Sequence, residues 1–149
     1  MSSIREDLRA RIDFMESAYE FMLAYAAQGL PSDAGSKTGA QIRDELRRLA
    51  GALDGIGSAF GRLLDEDPSV EAPDEQRAFV EVLSQDAQRA LAAIRAVQGQ
   101  SAISSQLVDN LNATIHLRAL LTDIFLVDEI LKILGSVAPT ASLDLDVDG

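Results

Sequence analysis

From Ile4 to Gln28 the apolar side chains return every three or four positions. Ile4, Leu8, Met15, Tyr19, Met22 and Ala26 fall on one helical face, with Glu6, Asp13 and Glu20 opposite. Gly29 and Pro31 end the segment, and LPSDAGSKTG has the composition of a loop. A second helix is predicted from about Gln41 to Leu64, carrying Ile42, Leu46, Leu49, Leu53, Ile56, Phe60 and Leu63 inward. After DEDPSVEAPDE, a third starts with Pro73, Asp74 and Glu75, which suit the positive end of a helix dipole, and runs through Phe79, Leu83, Ala90, Ile94 and Val97 to Gly99. A fourth is predicted from near Ser101 to Gly135, with one irregularity expected around Asn110 and Asn112, both weak helix formers.

Four such segments predict an all-α domain over residues 1–138, an antiparallel four-helix bundle. Its fourth helix would overhang the others by about 10 residues, roughly 15 Å. Residues 139–149 form an acidic tail in which Asp144, Asp146 and Asp148 alternate with Leu145 and Val147. The expectation is a flexible tail, or else a strand that adds to a partner. The overhang, together with Phe14, Phe21 and Tyr25 flanking the core face of the first helix, predicts a homodimer. Gly51, Gly55, Gly57 and Gly61 each cost about 1 kcal/mol of helix propensity, so close backbone packing is expected where they lie, with Gly51 and Gly55 assigned to an interface.

Charge and composition remove several chemistries. With 24 acidic against 13 basic residues the formal net charge is -11, a field that repels a phosphate backbone, and no nucleic-acid partner is expected. Arg43, Arg47 and Arg48 form the densest basic group, partly cancelled by Asp44. The absence of cysteine excludes thiol catalysis, disulfides and cysteine-held metal. The most apolar stretch is interrupted by Arg118, Asp123, Asp128, Glu129 and Lys132, which argues against membrane insertion. The N-terminal stretch SSIREDLRARID shows no signal-peptide pattern, so a cytoplasmic location is the expectation.

Candidate chemistry centres on NLNATIHLRALL, which holds the one histidine, His116. At 100° per residue, Asp109, Asn112 and Asp123 share its face with Leu120, Val127, Ile130 and Leu134, which places a polar strip on the inward side. Tyr19 is expected across the bundle. Tyr19, Asn112, His116 and Asp123 are therefore the candidate ligand-binding residues, able to hold a small polar molecule or to satisfy one another. A di-metal centre requires Glu-x-x-His pairs, but Ala113 stands three residues before His116, and no metal site is assigned. No haem-attachment motif or nucleotide-cradling loop is present, so no cofactor is expected. Ser101, Ser104 and Ser105 are better placed to start a helix than to act as nucleophiles, so no catalytic residue is assigned.

HLRAL, from His116 to Leu120, resembles the His-x-Leu-Lys-Gly neighbourhood of histidine-containing phosphotransfer domains. The match is inexact: Leu117 is one place early, Arg118 precedes the family's basic position, and Leu120 occupies that of its glycine. The resemblance implies a solvent-facing histidine that carries a phosphoryl group on a helical bundle. The scarcity of polar groups able to converge favours instead a non-catalytic protein-protein interaction module, such as an assembly chaperone, adaptor or regulator, working as a homodimer. Small-ligand binding around His116 and phosphotransfer are the alternatives.

Overall fold

The computed structural model describes residues 3–134. It is all-helical, with six segments among these residues: α1 (Ile4–Ala27), α2 (Lys37–Leu53), α3 (Ile56–Glu66), α4 (Pro73–Gln98), α5 (Ser105–Ala113) and α6 (Ile115–Leu131). The predicted second and fourth helices are each broken in two, which corrects the expected bundle of four continuous helices and removes the overhanging fourth one. The acidic tail from residue 139 onward lies outside the described residues. No helix among them is long and apolar enough to cross a membrane.

Local chemistry explains both breaks. Asp54 is extended and Gly55 adopts φ 81°, a left-handed conformation that glycine tolerates without a Cβ clash, so the chain turns there and α3 begins. Arg11 of α1 holds the turn by donating from Nη1 to the carbonyls of Ala52 and Asp54, at 2.7 and 2.8 Å. At the other break Thr114 serves both helices. It is extended (φ -63°, ψ 141°), its hydroxyl donates to the Leu111 carbonyl at 2.9 Å, and the same oxygen accepts from Leu117 N at 3.4 Å. Elsewhere Ser3 and Glu6 form a reciprocal capping box on α1, and Ser36 and Ser104 cap α2 and α5.

The two long helices organise the rest. α2 and α3 pack on both α1 and α4, while α5 lies chiefly on α1 and α6 chiefly on α4. The core between them includes Leu8, Ile12, Met22, Tyr25, Ile42, Leu46, Phe60, Leu83, Ile94 and Leu120, all fully buried. Burying each such large side chain stabilises the fold by about 1.5–3 kcal/mol relative to leaving it in water. Polar contacts seal the end near the α4–α5 connection. Asp33 accepts from Ile103 N at 2.7 Å and from Arg43, which also donates to the carbonyls of Gln100 and Ser101. Arg43 and the Ile103 amide together hold the Asp33 carboxyl below its ordinary pKa.

Candidate interaction groove between α1 and α6

The bend at Thr114 decides what lies beside α1. Before the bend, α5 is fastened to α1: Asn112 Nδ2 donates to the Met22 carbonyl at 3.2 Å, and Ser105 Oγ donates to the Tyr25 carbonyl at 2.6 Å. Beyond it, α6 leans onto α4, burying Leu117, Leu120, Ile124, Val127 and Leu131. The C-terminal end of α6 is fastened to the start of α1, where Arg5 donates to the Leu131 carbonyl at 2.9 Å and Arg9 to that of Ile133 at 3.0 Å. Between these fastenings an open groove of about 480 Å³ separates the helices. Glu16, Tyr19 and Glu20 line it from α1, and Arg118, Leu121, Thr122 and Phe125 from α6.

The outer surface of α6 is unusually apolar. Phe125 is 56% exposed, Leu126 and Ile130 are exposed near it, and Ile115 is exposed at the start of the helix. The groove's α1 wall is acidic. Partial burial is the largest influence raising the Glu16 pKa, followed by the charges of Asp13, Asp128 and Glu20. Among the described residues, Asp13, Glu16, Glu20 and Asp128 have no basic side chain within 4.0 Å.

The residues singled out from the sequence do not converge. His116 is exposed in the first turn of α6, where an inward position was expected. The phase carried from Asn112 does not survive the break at Thr114, and the centre of the buried α6 face lies about 60° around the helix from His116. Asn112 is buried, but it is spent on Met22, with its Oδ1 left without a partner. Asp123 faces Asp86 of α4. Burial first, and then the adjacent Asp86 carboxyl, raise its pKa to about 7. Of the four, only Tyr19 lines the groove.

The expected interface residues also separate. Tyr25 is fully buried, and its hydroxyl donates to the Ile103 carbonyl at 2.7 Å, so it is a core residue that cannot reach a partner. Phe21 stacks on Tyr25 with ring centroids 6.5 Å apart, and Phe14 lies under the Arg48 guanidinium at 4.3 Å. Gly51 is exposed with nothing close to where a Cβ would be, and Gly55 serves backbone geometry. The close approach belongs to Gly57, where a Cβ would sit 2.6 Å from that of Ser84 on α4.

The chain matches no family model, no curated protein and no solved structure. Among the described residues no cluster of three or more His, Cys, Asp or Glu is arranged to hold a metal ion. Leu121, Thr122 and Phe125 are not picked out by the polar pattern, although their neighbourhood carries a signal: Ile124, Phe125, Leu126 and Val127 are four consecutive apolar residues, so a helix containing them is apolar on more than its core face.

Proposed function

We propose that this protein is a non-catalytic protein-protein interaction module, of the adaptor, assembly-chaperone or regulator kind, that docks its partner on α6 and the α1–α6 groove. The observation that carries the reading is Phe125, an aromatic side chain more than half exposed on a helix whose outer surface continues apolar through Leu126 and Ile130. Large aromatic residues beside a groove are the usual anchors of an interface. A homodimer through this surface is one form of the proposal. The overhanging helix and Tyr25 no longer argue for it, and two copies of net charge -11 repel one another.

Native mass spectrometry of protein purified gently from its source tests the reading. A stoichiometric second polypeptide or second copy, lost in Phe125→Ser, is the expected result. A monomer alone, or a monomer carrying only a small molecule, contradicts it.

A second reading rests on His116. Its exposure supplies one condition that phosphotransfer requires. Leu120, however, stands where that family has glycine, and it is buried in the core rather than clearing space beside the ring. Acid-labile phosphoryl labelling of the wild type but not of His116→Gln, by a donor kinase, would favour this reading over docking.

A further inference from the structure

We infer that the partner docked in the α1–α6 groove is a cationic amphipathic helix, with apolar side chains set against Tyr19, Leu121 and Phe125 and with Lys or Arg facing the acidic α1 wall. The inference rests on the interaction reading above and names the chemistry of its partner. Shape comes first. The groove is an open trough between two helices, fastened at both ends by Asn112–Met22 and by Arg5 and Arg9, so it is held apart by the fold. A volume of about 480 Å³ admits a few side chains from a rod lying along it, the manner in which an amphipathic helix inserts anchors spaced three or four residues apart.

Charge selects among occupants. Glu16 and Glu20 line the groove against the single guanidinium of Arg118, and the charges of Asp13 and Asp128 add to the negative field at Glu16. Glu16 is partly buried and crowded by like charge, which raises its pKa, and a cation placed there offsets the like charge. A second copy brings the same acidic wall and a net charge of -11. The chain's own C-terminal stretch brings Asp144, Asp146 and Asp148. Both are repelled by the feature that attracts a basic helix.

The test is a titration of the full chain, followed by amide NMR, with three synthetic peptides of about 18 residues, long enough for five helical turns. One is a Leu/Lys peptide with leucines at i, i+3, i+4 and i+7 spacing; the second has the same composition scrambled; the third replaces each Lys by Glu. The patterned Leu/Lys peptide should bind, with shifts confined to residues 13–23 and 115–129. Phe125→Ser should weaken it by at least about tenfold, as expected for a buried anchor. The Glu16→Gln/Glu20→Gln double variant should weaken it about threefold to tenfold and flatten its salt dependence, whereas Glu66→Gln, an exposed residue at the end of α3, should change neither. Phe125 and Glu20 are exposed, so these changes spare the core.

Equal binding of the scrambled peptide, or shifts spread over the whole surface, would reduce the effect to bulk charge and overturn the inference. So would equal or tighter binding of the Glu peptide. Cross-relaxation between the Phe125 ring and the methyls of Leu145 or Val147 in the free protein would give the groove to the chain's own tail. Concentration-dependent dimerisation abolished by Phe125→Ser would give it to a second copy. A stoichiometric partner in native mass spectra without patterned-peptide binding would discard the cationic helix and leave the interaction reading standing.

Discussion

Asn112 donates its side-chain amide to the Met22 carbonyl, 3.2 Å away, two residues before the chain bends at Thr114. The contact binds α5 to α1 at the last point before α6 departs toward α4, and so fixes one end of the groove. Met22 O lies within a helix and does not depend on Asn112. The cost of Asn112→Ala is therefore the lost hydrogen bond and the space left behind, about 1–2 kcal/mol by denaturant unfolding.

Tyr25→Phe should cost more per atom removed. It deletes one hydroxyl and leaves the Ile103 carbonyl without its side-chain donor in the interior, with an expected loss of about 1–3 kcal/mol in urea unfolding. An unchanged midpoint would mean that water replaces the hydroxyl.

The glycines divide into two predictions of opposite sign. Gly51→Ala, in an exposed helical position with open space around it, should stabilise by about 0.5–1 kcal/mol. Gly57→Ala should destabilise, by about 1–3 kcal/mol, because the new methyl group meets Ser84. Thermal unfolding of the two variants side by side checks the ordering. Equal shifts would contradict the close approach of α3 to α4.

The raised pKa of Asp123 makes its contribution depend on pH in a definite direction. The folded state favours the protonated carboxyl, so stability from this group is full below the ordinary carboxylate value near 4 and is lost as pH rises through about 7. Asp123→Asn retains a donor toward Asp86 and cannot ionise. It should match the wild type near pH 3.5 and exceed it in stability by pH 8. A constant difference across that range, measured by denaturant unfolding, would show that the Asp86–Asp123 contact does not control ionisation.

His116→Ala should shift stability by no more than about 0.5 kcal/mol, since the ring is exposed. An inward histidine would cost several times more. Differential scanning calorimetry of the pair decides between them.

The outer limits of α1 and α4 were legible because they rest on local signals. Gly29 and Pro31 close one, and Pro73 and Gly99 bracket the other. The break at Gly55 was hidden because apolar periodicity runs through it. Leu53 and Ile56 both point inward although the backbone turns between them, and Gly55 looks the same in sequence whether it packs a helix or leaves it. Thr114 was harder still, since a threonine that caps two helices differs from a solvent-facing one only in its neighbours' geometry. The irregularity expected around Asn110 and Asn112 falls two residues later, at Thr114, and is a complete break, so the helical phase carried across it to His116 does not hold, and neither does the convergence of the polar strip. The groove depends on how far α6 leans from α1, a relation between segments that no single segment encodes.

Site-specific photo-crosslinking tests the docking surface most directly. p-Benzoylphenylalanine placed at position 125 in the cells that make the protein, and separately at exposed Ala92 on α4, reports what lies within reach of each surface. The account predicts a discrete polypeptide adduct at position 125, absent at position 92 and diminished by Glu16→Gln/Glu20→Gln. No adduct at position 125, or the same adducts at both positions, would contradict α6 and its groove as the place where this protein meets its partner.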